Sequence, residues 1–264
     1  GKMDEGIAQM RRALKHAPEV LALEEVYPRL CLALINKPSE FKQVAEEGLK
    51  RLPENAQLNL YMYAFKSMST DSSDQKQALD YLTKGIRYAA TDSKIDVPLS
   101  LATVFNNLGY GFQEKRDLER TVIAYRRSLQ YFPNRFDTLI NFAYALFDLG
   151  RMQEAREITR RAAQIDSREP RVMYLKAFSL QTKGELEAAL DLALKALDAK
   201  PLNELFYLIG SILRDYKSGE AAVQFYRQTL QKPQLDSNAY GHLGLLLYGA
   251  GEREAAISAF HKAL

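Results

Sequence analysis

Apolar residues along the 264-residue chain recur at helical spacing and form short runs that are separated by polar turns. The clearest pair of runs is VFNNLGYGFQEK followed by ERTVIAYRRSLQYF, with the turn at Arg116 and Asp117. Both runs repeat their apolar positions with the period of an amphipathic helix. Strand-like alternation is limited to Tyr61, Met62 and Tyr63, inside a run that helical spacing explains equally well. The pattern therefore predicts an all-α fold built from helix pairs.

The helix pairs repeat along the chain with a period of about 34 residues. One column of equivalent, mostly small residues in the second runs is Gly6, Phe41, Ala78, Thr121, Ala155, Ala189, Ala222 and Ala256. A column of large or apolar residues follows later in the same runs: Leu14, Leu49, Ile86, Leu129, Ala163, Leu197, Leu230 and Leu264. A third column, in the first runs, is glycine or alanine each time: Gly109, Ala143, Ala177, Gly210 and Gly244. Small residues beside large ones at a fixed phase allow neighbouring helices to pack closely.

Glycine and proline mark the ends of the expected helices. Gly150, Gly184 and Gly251 follow the first runs of three pairs, where a helix end requires the left-handed conformation that glycine adopts without strain. Prolines follow the second runs, where they stop a helix. They are Pro18, Pro53, Pro133, Pro201 and Pro233.

The domain prediction is a single solenoid over residues 1–264. Residues 1–101 are irregular, because Pro28 lies inside the apolar stretch 19–37 and predicts a kinked helix there. Polar, turn-rich segments predict loop insertions near 67–76 and 90–99. Regular repeats are expected near 102–135, 136–169, 170–203, 204–236 and 237–264.

These residues resemble tetratricopeptide repeats. The resemblance is carried by LGYGF, FAYAL, KAFSL and LGLLL in the first helices and by QEAREI, EAALDL and EAAISA in the second. It covers residues 102–264 most clearly, and 1–18 and 39–90 less clearly. Departures from the family pattern are the absence of tryptophan, Lys176 at a typically apolar position, and a unit at 204–236 that is one residue short.

The resemblance implies a right-handed superhelical solenoid of antiparallel helix pairs. First helices would line its concave face and second helices its convex face. The usual role of such a solenoid is to hold a partner protein or peptide. Exposed solenoid ends could also pair with a second copy of the chain.

Candidate chemistry does not change this interpretation. The three histidines, His16, His242 and His261, have no Cys or His partner at metal-ligand spacing, and no nucleophile, phosphate-binding or dinucleotide motif occurs. Cys31 lies in the apolar run LCLAL and is expected in the core. The sequence therefore predicts no catalytic site, metal or cofactor, and hence a protein that is not an enzyme.

Charge and hydropathy limit the classes of partner that we expect. The net charge of +3 is too small to favour nucleic acid, and basic residues late in the second helices fit the helix dipole. No apolar run is long enough to span a membrane, and no signal peptide is recognisable. The chain opens on glycine inside a patterned segment, so we expect it to be part of a longer protein whose compartment stays unknown.

The resemblance assigns one residue directly after each glycine or alanine of the third column to the concave groove. Aromatic rings recur there, and rings provide large contact areas at low entropic cost. Asn107 and Asn141 resemble the first rungs of an asparagine ladder, whose amides pair with peptide backbone. The predicted partner-binding groove contains Asn106, Asn107, Tyr110, Gln113, Asn141, Tyr144, Phe147, Tyr174, Phe178 and Arg214. The same rings could instead fill space between adjacent first helices.

The favoured function is a non-enzymatic scaffold that binds a partner segment in this groove. One alternative is a targeting or scaffold segment of a larger enzyme or secretion machine, such as a glycosyltransferase or polysaccharide exporter. A second alternative is a carbohydrate-binding groove, because aromatic faces also stack on sugars.

Overall fold

The computed structural model describes residues 2–16, 20–92, 94–229 and 237–264. Over those residues the chain forms fifteen α-helices and no strand, which confirms the all-α prediction. The helices are α1 (Lys2–His16), α2 (Val20–Ala33), α3 (Pro38–Arg51), α4 (Ala56–Ser67), α5 (Ser72–Ala89), α6 (Val97–Glu114), α7 (Leu118–Tyr131), α8 (Phe136–Asp148), α9 (Met152–Ile165), α10 (Pro170–Thr182), α11 (Leu186–Ala199), α12 (Asn203–Tyr216), α13 (Gly219–Thr229), α14 (Ser237–Gly249) and α15 (Arg253–Ala263).

The chain divides into two compact units, Gly1–Gly150 (unit 1) and Arg151–Leu264 (unit 2). In unit 1 the first helices α2, α4, α6 and α8 contact one another in that order, and α3, α5 and α7 are the second helices of their pairs. In unit 2 the first helices α10, α12 and α14 also contact one another in order, and each packs on the second helix that follows it. Each unit is therefore a stack of helix pairs, as the repeat predicts, while the single solenoid over 1–264 stays a prediction.

The core of unit 1 is rich in aromatic residues. Tyr27, Phe41 and Phe105 are fully buried, and the rings of Phe41 and Phe65 lie 5.1 Å apart. A glycine at position 48 allows α3 to approach this cluster, because a Cβ there would lie 2.8 Å from Leu58 Cδ1. Cys31 is also fully buried, which confirms its expected place in the core.

The core of unit 2 contains many alanines where α10, α11 and α12 meet. Ala177 on α10 and Ala193 on α11 are fully buried, together with Leu205 and Ile209 on α12. Small side chains at both positions bring the two helices of the pair close together. The third column of small residues therefore lies at a helix–helix contact.

The glycines of the same column each accommodate an aromatic ring sixteen positions later in the chain. A Cβ on Gly109 would lie 2.6 Å from Tyr125 Cε1, and one on Gly210 would lie 2.5 Å from Tyr226 Cε2. Gly244 has the same relation to Phe260, at 2.6 Å. Where the column holds Ala177, the partner position holds Ala193. The two positions are thus complementary in size, with glycine facing a ring and alanine facing alanine.

The turns inside the pairs confirm the predicted left-handed glycines. Gly150, Gly184 and Gly251 have φ of 71°, 81° and 83°. Arg116 occupies the equivalent turn of the 102–135 repeat and also has a positive φ, 56°. A non-glycine residue is strained in this region, because its Cβ crowds the following carbonyl oxygen.

Two loops are shorter than the polar segments suggest. The expected insertion near 67–76 is wrong over most of its length, because α5 begins at Ser72, where Asp71 Oδ1 accepts from the Ser73 backbone N–H at 2.7 Å. The segment near 90–99 is interrupted by α6 at Val97, which Asp96 caps in the same way. The polar residues are therefore partly helix caps and first turns. Pro28 lies inside α2, whereas Pro18 and Pro233 lie outside the described residues.

Candidate functional site

A cleft of about 530 Å³ lies between α12 and α14 of unit 2, on the first-helix side of the stack (the first-helix cleft). Helix α12 contributes Tyr207, Ser211 and Arg214 to its walls, and α14 contributes His242, Leu245 and Leu246. Gly210, Gly249 and Tyr226 also line the cleft. Side chains from two adjacent first helices thus converge on one opening.

The complementary pair of Gly210 and Tyr226 lies at this cleft. Tyr226 is only 1% exposed, and its hydroxyl donates to the Phe206 backbone carbonyl at 3.2 Å. Burial raises the pKa of Tyr226, so the phenol stays neutral. Because Gly210 has no side chain, its backbone lies close against this ring: a Cβ there would be 2.5 Å from Tyr226 Cε2.

An aromatic stack forms one side of the first-helix cleft. The rings of Tyr207 and His242 lie 4.3 Å apart at an interplanar angle of 27°. Burial lowers the pKa of His242, because desolvation disfavours the imidazolium. At neutral pH the stack therefore presents a neutral aromatic surface with imidazole nitrogens at its edge.

One exposed apolar residue and one cation complete the cleft. Leu245 is 62% exposed. Tyr248 lies one turn further along α14, outside the cleft lining, and is 65% exposed. Arg214 Nε donates to Asp215 Oδ1 at 2.8 Å, so the charge of the guanidinium is balanced by its own helix. An aliphatic or aromatic side chain fits such a surface better than a free anion does.

Two predicted groove residues of unit 1 are buried and take part in internal contacts. Asn106 accepts from Thr138 Oγ1 at 3.0 Å and donates to Asn107 Oδ1 at 3.2 Å. Phe147 is 7% exposed. Because these side chains face the interior, our proposal does not use Asn106 or Phe147 as partner contacts.

The remaining groove residues of unit 1 lie on α6 and α8. Tyr110 is 51% exposed, and a hydrogen bond with Glu114 raises its pKa. Gln113 accepts from the buried Tyr125 hydroxyl at 3.0 Å. Asn107, Asn141 and Tyr144 are half-buried.

The turn between α2 and α3 packs against α6 beside these residues. A Cβ on Gly111 would lie 3.2 Å from Asn36 Cα, and Asn36 Nδ2 donates to Glu114 Oε2 at 3.3 Å. Gly111 and Glu114, which flank the predicted groove residues Tyr110 and Gln113 on α6, are therefore packing positions.

In unit 2 the predicted rings lie next to the α10–α12 contact. The rings of Tyr174 and Phe178 stack 6.3 Å apart at 15°, and both residues are half-buried. Gln181 Nε2 donates to Ser211 Oγ at 2.8 Å, which joins α10 to a residue of the first-helix cleft. Arg214 is the predicted residue that lines the cleft itself.

The sequence columns placed Tyr207 and Leu245 at groove positions, but neither they nor His242 were among the predicted contacts. Tyr207 occupies the column of Asn106, and Leu245 occupies the column of Tyr110. The prediction favoured repeats in which aromatic residues follow one another in the same column. These are the middle repeats, so the last two repeats contributed few predicted contacts.

Within the described ranges, no group of three or more His, Cys, Asp or Glu side chains could hold a metal ion. Burial raises the pKa of the Cys31 thiol to about 12, which leaves it a poor nucleophile. None of the described helices combines the length and hydropathy that crossing a bilayer would require.

Comparisons with known proteins agree with the helix-pair fold. Residues 136–169 match the family described as tetratricopeptide repeat. None of the curated proteins matches the sequence.

Three solved structures illustrate the likeness. A tetratricopeptide repeat protein from Parabacteroides merdae is 13% identical, covers 91% of this chain and 92% of its own, and has a TM-score of 0.61. Cut9 in the APC/C Cut9–Hcn1 hetero-tetramer is 17% identical over 99% of this chain and 49% of the other chain, with a TM-score of 0.55. PilF of Pseudomonas aeruginosa is 19% identical over 64% of this chain and 77% of its own, with a TM-score of 0.52. At these identities the likeness concerns the fold.

Proposed function

We propose that this tetratricopeptide-repeat chain is a non-enzymatic scaffold that binds an extended or helical segment of a partner protein in the first-helix cleft. The observation that carries the proposal is the open cleft between α12 and α14, with the exposed Leu245 on α14 and the Tyr207–His242 stack formed across the two helices. A large exposed apolar side chain beside an aromatic wall is typical of a surface that a partner covers.

The size of the cleft suggests what it receives. A volume of about 530 Å³ is sufficient for one or two large side chains of a peptide, and too small for a folded domain. Gln181 of α10 donates to Ser211 of the cleft, and Tyr174 and Phe178 on the same helix would extend the binding surface along α10. Tyr110, Gln113, Asn107, Asn141 and Tyr144 remain proposed contacts of unit 1.

The test is a selection of random displayed peptides on the intact chain, followed by affinity measurement of the enriched peptides with purified variants. Leu245→Ala should weaken binding by about tenfold, since about 1.4 kcal/mol corresponds to one factor of ten and a buried leucine side chain contributes that much. Tyr207→Ala should weaken binding by at least as much, because it also removes the stacking partner of His242.

A matched control is Leu79→Ala on α5, because Leu79 is 63% exposed and lies in unit 1. The control should bind with unchanged affinity. Equal affinities for wild type, Leu245→Ala and Tyr207→Ala, with the helix content intact, would reject the cleft as the binding surface. Loss of binding on Phe178→Ala, and none on Leu245→Ala, would move the site to α10.

The same purified variants distinguish two broader roles, carbohydrate binding and membership of a larger protein assembly. A carbohydrate ligand would appear as quenching of tyrosine fluorescence by oligosaccharides that Tyr207→Ala abolishes. A role in a larger assembly, as for Cut9 in its hetero-tetramer with Hcn1, requires a protein partner. Peptide binding in the cleft favours the assembly role over the carbohydrate role.

A further inference from the structure

A second cleft, of about 430 Å³, lies within unit 2 between α9, α10 and α11 (the basic cleft). Ala163, Leu180 and Leu192 form an apolar floor, and Thr159, Gln164 and Ser179 add polar groups. Its basic residues are Arg156, Arg160 and Lys176. It shares no lining residue with the first-helix cleft.

The floor of the basic cleft is open because one repeat position carries an unusually small residue. Ala163 stands in the column that holds Leu129 and Leu197 in the flanking repeats. Thr159, which is 3% exposed, stands where three repeats place Tyr125, Tyr226 and Phe260 and where the following repeat places Ala193. Replacement of a leucine by a smaller side chain leaves open volume between the helices.

One cation of the basic cleft stands where the other regular repeats bury an apolar side chain. Lys176 is equivalent to Leu108, Phe142, Ile209 and Leu243, all of them buried. Arg156 is equivalent to the buried Val122, Leu190 and Val223, but also to Lys42 and to the exposed Leu79 and Ile257. Both cations are half-buried.

Neither cation is neutralised within the part of the chain that the structure describes. Arg156 and Lys176 make no ion pair or hydrogen bond with other described residues. By contrast, Arg160 has a bidentate pair with Glu157 on its own helix, at 2.7 and 2.9 Å. A partly desolvated cation without a counter-charge is costly for a folded chain, which favours occupancy by an anionic group.

We propose that the basic cleft binds an acidic peptide segment of a partner protein. A leucine-like or phenylalanine-like side chain of the peptide lies on the floor over Ala163, and flanking carboxylates pair with Arg156 and Lys176. Gln164 and Ser179 supply an amide and a hydroxyl that suit peptide backbone groups, which favours a peptide over an acyl chain. The proposal is independent of the first-helix cleft, since the two clefts share no residue.

The test uses substitutions that restore the residue types of the other repeats. Ala163→Leu fills the floor, and Arg156→Val with Lys176→Leu removes both cations. Peptides are selected from a random displayed library on the wild-type chain and depleted on Ala163→Leu. The enriched peptides should combine acidic residues with one large apolar residue. Their affinity should fall at least about tenfold in either variant and should decrease with salt.

A stability measurement separates binding from packing. The Arg156→Val/Lys176→Leu variant should bind worse and yet melt at a higher temperature, because buried apolar residues replace unpaired charges. Lys195→Gln on α11, an exposed lysine paired with Asp191, is the charge control and should bind normally. Leu245→Ala should also bind these peptides with normal affinity. This variant distinguishes failure of the basic-cleft proposal from failure of the proposed binding in the first-helix cleft.

Three results would overturn the proposal. The first is that no peptide depends on Ala163, and the second is that the enriched peptides lack acidic residues. The third is that the chain binds vesicles of phosphatidylserine through Arg156 and Lys176 while no acidic peptide binds, which would assign the basic cleft to a membrane surface.

Discussion

The size complementarity of Gly109 and Tyr125 predicts that one added methyl group destabilises unit 1. In Gly109→Ala the new Cβ would lie 2.6 Å from Tyr125 Cε1 and 2.7 Å from Cδ1. The ring cannot move aside freely, because it is fully buried and its hydroxyl donates to Gln113. Overpacking of this kind costs about 1–3 kcal/mol, whereas alanine gains about 0.8–1 kcal/mol in helix propensity. The net expectation is a loss of up to about 2 kcal/mol in unfolding free energy, and no gain.

A double-variant cycle isolates the steric contribution. Tyr125→Ala alone should cost about 3–5 kcal/mol through loss of a buried ring. In the Tyr125→Ala background, Gly109→Ala should become neutral or stabilising, since the chain already pairs Ala177 with Ala193 at the equivalent positions. The control is Gly6→Ala in α1, where no atom lies within 4 Å of the new Cβ, and it should stabilise by about 0.5–1 kcal/mol.

Urea unfolding followed by far-UV circular dichroism measures all four chains of the cycle and the control. The reasoning is refuted if Gly109→Ala is as stabilising as Gly6→Ala, or if its effect is the same with and without the Tyr125 ring. Either result would mean that the glycine column does not form a tight helix–ring contact.

Three further predictions concern single residues. Arg116→Gly should stabilise by about 1 kcal/mol by relieving the positive φ of 56°, and Gly184→Ala should cost about as much, both measured by urea unfolding. Cys31 should resist thiol reagents in the folded chain, because its side chain is buried. Burial also raises its pKa from 9.0 to about 12. The contribution of the buried neutral thiol to the unfolding free energy is therefore complete below pH 9.0 and declines as the pH rises from 9.0 towards 12. Unfolding at a series of alkaline pH values, compared with Cys31→Ala, checks this. Asn106→Ala should reduce stability by about 1–3 kcal/mol, because Thr138 loses its buried acceptor, and should leave peptide affinity unchanged.

Local signals in the sequence were sufficient for the helix pairs and their turns. Periodic apolar residues, and glycine at 150, 184 and 251, each act within a few residues of the chain, so they are readable without coordinates. The start of α5 was missed because the polar residues around Asp71 fit a loop and a helix cap equally well, and the cap depends on the orientation of one carboxylate.

The location of the candidate sites depended on contacts between repeats. Sequence columns indicated that Lys176 departs from the family pattern. They did not indicate that Lys176 on α10 lines the same cleft as Arg156 and the small Ala163 on α9, because the cleft depends on how the two helices pack. Likewise, the exposure of Leu245 and the burial of Phe147 follow from the packing of neighbouring pairs, and equivalent positions in a repeat have different surroundings.

The most direct test of the proposed function is hydrogen exchange of the intact chain with and without a bound peptide. The peptide is one that was selected on the wild-type chain and whose affinity does not change in Ala163→Leu, so that it does not bind in the basic cleft. The account predicts slower amide exchange in α12 and α14, around Tyr207 and Leu245, and weaker protection in Leu245→Ala at the same subsaturating peptide concentration. Protection confined to other helices, with α12 and α14 unchanged, would contradict binding in the first-helix cleft.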